Sequence, residues 1–279
     1  MQLVMTLLVR DEEDILKANI DYHLAQGVDF IIATDNKSTD STTQILKSYE
    51  KKGKLLYILE EEDDYSQHKW VTHMARMACF KYKADWVINS DADEFWYVSD
   101  ERSLKDFFTS VDKDDVYNVV RAPRSDFAPL SCLPEESIFY EHMVYRKTCS
   151  LNYVGKKVLP KLAHKGFLDV EVGQGNHDIY NVGEQRVLSQ GLEILHFPVR
   201  SYEQFLRKII NGGTAYSQNT HLPERMGNEW RALYDIYKKN GDLKEVYKNS
   251  SSDEKELRNG MVLGDIVHDA RLRDFFEKL

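Results

Sequence analysis

The stretch Asn89-Ser90-Asp91-Ala92-Asp93-Glu94-Phe95-Trp96 places three acids in four positions, directly after the hydrophobic run Trp86-Val87-Ile88. Carboxylates this close repel one another, and each loses hydration if buried, so something positive must compensate them. In extended backbone, residues two apart point to the same side, which turns Asp91 and Asp93 towards one site and Ala92 away from it. Hard oxygen donors so arranged suit Mg2+ or Mn2+, ions that keep one or two carboxylate ligands and take the rest from substrate phosphates and water. The competing reading is an acidic turn that merely ends a strand. Glu94 is either a supporting acid or a helix cap, and Phe95 and Trp96 are either core or the wall of a pocket.

A second cluster lies later in the chain. His196 follows Leu192, Ile194 and Leu195, so another strand end carries an imidazole. It is either packed there or a metal ligand, since neutral imidazole is acceptable to Mn2+. The segment GQGNHDIY, residues 173–180, is punctuated by two glycines that let backbone approach closely, and it contains the pair His177-Asp178. Asp178 reads either as an acid held in place before a short helix or as that helix's cap.

The elements that must position these groups follow from periodicity. Residues 2–9 read as a buried strand, and Asp11 as the cap of a helix carrying Ile15, Leu16, Ile20 and Leu24, ended by Gly27. Residues 28–34 form a second strand. Thr39 or Asp40 caps a second helix with Ile45, Leu46 and Tyr49, which stops at Gly53. Residues 54–60 form a third strand; the acidic loop EEEDDYSQ leads to a helix at 67–83, and 85–90 form a fourth strand. This alternation predicts a mostly parallel sheet with helices on both faces and right-handed crossovers. Ligands in such sheets sit beyond the carboxyl ends of the strands. Three strand ends carry polar groups there: Arg10-Asp11, Asp35, and Asp91 to Glu94.

Residues 103–111 read as a helix, 115–123 as a strand and 191–199 as another. Between 123 and 190, short β-like runs mix with glycine and proline. From Tyr202 the chain is helical and charged, broken near Gly212-Gly213, Pro223 and 249–252. Leu206, Ile209, Ile210, Leu233, Ile236 and Tyr237 recur at helical spacing. Their apolar faces are expected to pack on the sheet domain, with a dimer or a membrane surface as the alternatives.

VRDEEDIL, TDNKSTDST and WVINSDADEF, in this order and spacing, resemble the nucleotide-sugar half of family 2-type glycosyltransferases with the GT-A fold. The DADEF form and the later HFPVRSYEQFLRKIINGG look closest to a bacterial branch related to the family 92 enzymes. The resemblance implies an α/β, Rossmann-like GT-A domain at 1–200 and a helical region at 201–279 packed on it. It implies a metal-dependent transfer, with inversion, from a nucleotide-diphosphate sugar, a UDP-sugar, to a hydroxyl of a glycan or lipid-linked acceptor. By position, Asp35 bonds the base, although Asn36 and Lys37 replace the family's usual Asp and Gly. Arg10 lies on the donor side, and Arg76 approaches the phosphates or holds Asp91, with Met77 where the family has Asn. Asp91 contacts the ribose or a metal-bound water, Asp93 ligates Mn2+ or Mg2+, and His196 is the third metal ligand. Arg200 or Lys208 neutralises the leaving diphosphate. Asp178 is the catalytic base, with His177 standing where the family has Glu; Asp126, Asp169, Glu171 and Glu184 are the other candidate acids.

The bulk numbers bound the alternatives. The 279 residues are 42% hydrophobic and 30% charged, as in an ordinary globular protein. The 37 basic and 46 acidic residues give a net charge of −9, which argues against nucleic acid as a partner. Cys79, Cys132 and Cys149 are widely spaced, so neither a disulfide framework nor a zinc site is expected, and a reducing, cytoplasmic setting is. Membrane contact would be peripheral, on the inner face, because no apolar run approaches the ~18 residues of a span. The apolar N-terminus reads as a first strand rather than a signal peptide. A sugar-phosphate nucleotidyltransferase would want a glycine-rich basic loop where this chain has VRDEED. A haloacid-dehalogenase-like phosphatase would want its acids near the N-terminus. A non-catalytic glycan-binding protein with the same fold is the remaining alternative.

Overall fold

A computed structural model describes residues 1–62, 66–131, 137–152, 155–218 and 227–279. Cys132, Pro223 and part of the acidic loop after β3 lie outside the described residues. Along the chain run β1 (Leu3–Val9), α1 (Leu16–Ala25), β2 (Phe30–Asp35), α2 (Thr42–Lys51), β3 (Leu55–Leu59), α3 (Gln67–Tyr82), β4 (Trp86–Asp91), β5 (Glu94–Val98), α4 (Leu104–Asp114) and β6 (Val119–Ala122). Then come β7 (Arg124–Asp126), α5 (Phe139–His142), β8 (Tyr145–Lys147), β9 (Lys161–Lys165), β10 (Glu171–Val172), β11 (Ile179–Tyr180), β12 (Val187–Leu188) and β13 (Leu192–His196). The last part holds α6 (Tyr202–Gln218), α7 (Asn228–Asn240), α8 (Lys244–Ser250), α9 (Glu254–Leu263), β14 (Ile266–His268) and α10 (Arg271–Phe276).

Two compact units result. The first comprises Met1–Glu62, Ser66–Arg124 and Leu159–Leu195. Its centre is a seven-stranded sheet of order β12-β6-β9-β4-β1-β2-β3. The pairs β1–β2, β1–β4, β2–β3 and β6–β12 are parallel, and β9 runs antiparallel to both β4 and β6. The expected α/β, mostly parallel architecture is therefore the observed one. Val4, Ile32 and Val87 share the face covered by Val71, Met74, Ala75 and Ala78 of α3. Met5 and Leu7 point to the opposite face and are equally buried, so both faces are covered.

Local details differ from expectation. Asp11 does not cap α1, whose N-cap position is Ile15 with no side-chain cap. Asp11 sits too far upstream; it adopts φ +55 and accepts the Thr39 N–H (2.6 Å) and hydroxyl (3.1 Å). At α2 the N-cap position is Ser41, yet Asp40 does the bonding, accepting the Thr42 N–H at 2.9 Å. Glu94 caps no helix: it opens β5, and with Phe95 and Trp96 it is fully buried, so the aromatics are core.

The second unit comprises Ser125–Val158 and His196–Leu279. Ile209 and Leu233 form its core with Val199, Phe205 and Leu243, and Leu206, Tyr234, Tyr237 and Tyr247 pack around them. The expected break at Gly212-Gly213 is absent, because α6 runs through both. Their role is close packing. A Cβ on Gly212 would lie 2.4 Å from the Trp230 ring, and one on Gly213 2.3 Å from Tyr234 Cβ. Gly213→Ala gains about 1 kcal/mol of helix propensity but overpacks a contact against backbone-proximal atoms, at about 1–3 kcal/mol. Urea unfolding is expected to show a net loss of stability; a more stable variant would mean that α7 is free to shift away.

Candidate active site

Register puts the sequence-predicted strand ends on one edge: Leu8 pairs with Asp91 and Val9 with Asp35. At the end of β4 the chain turns sharply into β5. Asn19 of α1 holds that turn, donating Nδ2 to the carbonyls of Ala92 (3.0 Å) and Glu94 (2.8 Å). Glu94 Oε2 accepts the Asp91 N–H at 3.2 Å, and Trp96 Nε1 donates to Ser90 Oγ at 3.2 Å.

The positive charge that these acids require is built into the chain. Lys161, the first residue of β9 and 1% exposed, places Nζ 2.5 Å from Asp91 Oδ2 and 3.2 Å from Glu94 Oε1. Arg124 Nη1 lies 3.5 Å from Glu94 Oε1, while its Nε donates to the Leu159 carbonyl at 2.8 Å. Removing one partner from a buried pair of this kind costs about 3–5 kcal/mol, because the remaining charge is left uncompensated.

The segment 173–178 closes on the same place. Asn176 donates Nδ2 to Asp91 Oδ1 at 3.2 Å, and His177 Nδ1 lies 2.8 Å from the Pro160 carbonyl, one residue before Lys161. Gly175 has φ +74, and a Cβ there would meet the His177 ring at 2.9 Å, so glycine is required. Burial, then the Lys161 charge, push the His177 pKa down to about 3. At neutral pH it is therefore an uncharged imidazole donating Nδ1–H to Pro160. Asp178 is exposed and precedes β11, not a helix; the 3-10 turn at Gln174–Asn176 lies before it. Its carbonyl accepts the Gly173 N–H at 2.7 Å, which makes the segment a β10–β11 hairpin and removes the helix-cap reading.

Arg10 and Asp35 meet at the neighbouring strand ends. Arg10 Nη1 donates to Asn36 Oδ1 at 3.4 Å. Asp35 is fully buried and accepts the Ser38 N–H (2.9 Å) and Thr43 hydroxyl (2.5 Å), shaping its own turn. Arg76 is placed elsewhere: it donates to the carbonyls of Val170 (2.8 Å) and Asp169 (3.3 Å) and approaches Glu171 at 3.7 Å. The cation on Asp91 is Lys161, not Arg76.

In the second unit, His196 Nδ1 lies 2.7 Å from Asp126 Oδ1, and both side chains are buried. Serine 150 holds this acid's backbone, Asp126 N–H donating to Ser150 Oγ at 2.7 Å. Arg200 is buried, donates Nη1 to the Phe197 carbonyl (2.9 Å) and is bonded through its N–H to Gln204 Oε1 (3.2 Å). Lys208 is half-buried on α6.

The sequence profile of glycosyltransferase family 92 matches residues 5–183, well over half of the chain. The chain belongs to glycosyltransferase family 92. It is thus a glycosyltransferase, as its motifs implied. No curated protein matches it. Among solved structures it is similar to S. aureus TarS 1-349 in complex with UDP, at 13% identity and TM-score 0.46, covering 86% of this chain and 74% of that one. The UDP-GlcNAc complex of the same TarS fragment gives 10% identity, TM-score 0.48 and coverages of 86% and 75%. Glucosyl-3-phosphoglycerate synthase from Mycobacterium tuberculosis, in complex with Mn2+, UDP and glucosyl-3-phosphoglycerate, gives 16% identity and TM-score 0.31, with 44% of each chain covered. At these scores no residue or ligand is carried from those proteins to this one.

Lys161, Arg124, Asn19 and Asn176 of this family 92 chain were not singled out by sequence reasoning. Two left a signal. Lys161 is a charge within the strand-like run LPKLAHK, and Asn19 is a polar residue on the apolar stripe of α1. Behind the turn, His23 Nε2 accepts the Trp96 N–H (3.3 Å) while Nδ1 lies 2.8 Å from the Asn19 carbonyl, which fixes a neutral tautomer. His164 bonds the Lys165 carbonyl through Nδ1 (2.7 Å), and its Nε2 has no partner among the described residues. Burial pushes both pKa values down to about 4 from 6.5. The unfolded chain therefore takes up these protons at higher pH than the folded one. The stability they contribute is fully present above pH 6.5 and is lost as pH falls towards 4. Urea unfolding at pH 7 and pH 5 is expected to differ by about 1–2 kcal/mol per histidine, with pH 5 the less stable. Equal stability at the two values would contradict the neutral assignment.

Proposed function

We propose that the protein moves a sugar from a nucleotide-diphosphate donor, a UDP-sugar, to a hydroxyl of a glycan or lipid-linked acceptor, with inversion and with Mn2+ or Mg2+. The observation that carries this is the alignment of Arg10, Asp35 and the clasped Asp91–Glu94 turn along one sheet edge, in a family 92 chain. That edge is where α/β sheets take their ligands.

In this reading Asp93 and His196 hold the metal, and Asp91 serves the donor. The donor set fits a divalent cation. Asp93 is a carboxylate 3% exposed, and Asp126 on His196 Nδ1 fixes the tautomer whose lone pair is on Nε2, the arrangement that supports metal-bound imidazoles. A metal bound there supplies charge neutralisation for the departing diphosphate. Arg10 and the buried turn at Asp35 serve the nucleoside side, and Arg200 and Lys208 supply further positive charge. Asp178, exposed on its hairpin, accepts the proton of the attacking hydroxyl. Neutral His177, fixed by Pro160, orients the acceptor rather than taking that proton. The helical region 201–279 is assigned to the acceptor. Cys79 and Cys149 are free thiols, in keeping with the reducing, cytoplasmic setting of this reading. No described helix is long and apolar enough to cross a membrane.

UDP is expected to raise the melting temperature in the presence of Mn2+ and to do so far less in chelator, because Asp93 and a diphosphate repel each other until a cation lies between them. Asp93→Ala should abolish both that metal-dependent shift and transfer. Equal UDP binding with and without metal would refute the metal bridge, and binding without any donor turnover would favour a non-catalytic protein. Asp178→Asn should bind UDP normally with turnover reduced by about two orders of magnitude or more. Near-normal turnover would move the base to Glu171, Asp169 or Asp126.

A further inference from the structure

The acids of the β4–β5 turn are not equivalent. Both oxygens of Asp91 are engaged, Oδ2 by Lys161 (2.5 Å) and Oδ1 by Asn176 (3.2 Å). Glu94 has no exposure and takes Lys161, Arg124 and the Asp91 N–H. The Asp91 side chain keeps 29% exposure, and each carboxylate oxygen offers two lone-pair sites, so Asp91 retains acceptor capacity towards solvent. A cation coordinated by Asp91 would sit beside the Lys161 ammonium, which is 1% exposed and also bonded to Glu94. Repulsion between two positive centres at such range, in a site partly shielded from water, is strong.

We propose that Lys161 is a positioning residue that divides the acidic motif between two tasks. It fixes Asp91 as a stationary hydrogen-bond acceptor for a donor hydroxyl and bars the divalent cation from it, leaving the cation to Asp93. Asn176 completes the clamp from the hairpin, and Arg124 balances Glu94 so that Lys161 is not drawn off Asp91. The inference rests on the functional reading above but concerns a residue to which that reading assigns no role.

The test uses the full chain and two binding measurements. Mn2+ alone is titrated by electron paramagnetic resonance, and UDP is titrated at saturating Mn2+ by calorimetry. In Lys161→Met the ammonium is lost while an apolar chain of similar length remains. Mn2+ is expected to bind about fivefold more tightly, because a nearby positive charge is gone. UDP is expected to bind about tenfold or more weakly, because Asp91 is no longer held. A merely structural lysine would weaken both together, and that parallel loss, or no change in either, overturns the proposal. Where Lys161→Met fails to fold, Lys161→Met/Glu94→Gln removes one charge of each sign and is compared with Glu94→Gln alone, so that the same two opposite shifts report the loss of the ammonium. If the wild-type chain binds Mn2+ but no UDP, the functional reading falls, and the Mn2+ shift alone decides the role of Lys161. If it binds neither, both fall.

Discussion

Glu94 has no contact with solvent, and it directly follows the equally crowded Asp91–Ala92–Asp93 segment. A carboxylate in that position is tolerable only with a cation and a full set of donors. Meeting that requirement organises much of the first unit. It calls for β9 to lie antiparallel beside β4, so that Lys161 reaches the turn from the adjacent strand. It calls for β6 to end at Ala122, which brings Arg124 to the other side of Glu94. It also calls for the Asp91 N–H to point inward at Glu94 Oε2, which closes the turn on itself. The antiparallel intrusion of β9 into an otherwise parallel sheet is thus the structural means of delivering a cation to the ligand edge.

Behind the charges lies a neutral polar layer. Asn19 spans two carbonyls of the turn, Tyr22 donates to the Trp96 carbonyl at 3.0 Å, and His23 accepts the Trp96 N–H. These three come from one face of α1, and every one of them bonds backbone of the β4–β5 turn or of β5. A helix that presented only aliphatic residues there would leave those peptide groups buried and unpaired, at about 1–3 kcal/mol each. The buried face of α1 is partly polar because it meets the backbone of the β4–β5 turn and of β5 itself.

The order from β1 to β4 was legible because each element is long, periodic and punctuated by Gly27 and Gly53. The acids at 91–94 were legible because charge ending an apolar run is conspicuous. What stayed hidden depends on contacts far apart in sequence. Lys161 meets Asp91 across 70 positions, and Asn176 meets it across 85. The run LPKLAHK marks Lys161 as a charge in a strand but does not report what it meets. Between 123 and 190 the strands are two to five residues long, too short for periodicity to register. Gly212-Gly213 misled for the opposite reason: glycine as a helix breaker and glycine as a site of close helix packing look alike until Trp230 and Tyr234 are in place. Sequence places Asp178 before a helix, but left-handed backbone at Gly175 and Asn176 bends the segment back into a hairpin instead.

That hairpin also reaches the β4–β5 turn. Asn176 donates to Asp91, His177 is pinned to the residue before Lys161, and Asp178, the base in the proposed reading, is the next residue along. Asn176 adopts φ +61 with 1% exposure, a left-handed conformation that asparagine takes more readily than most residues, and its Nδ2 donates to Asp91 Oδ1. Asp178 itself is placed by the β10–β11 pairing and by its carbonyl on the Gly173 N–H. The hairpin and β9 thus meet at one carboxylate, Asn176 on Oδ1 and Lys161 on Oδ2, so the segment that carries the exposed acid is tied to the turn that carries the buried one.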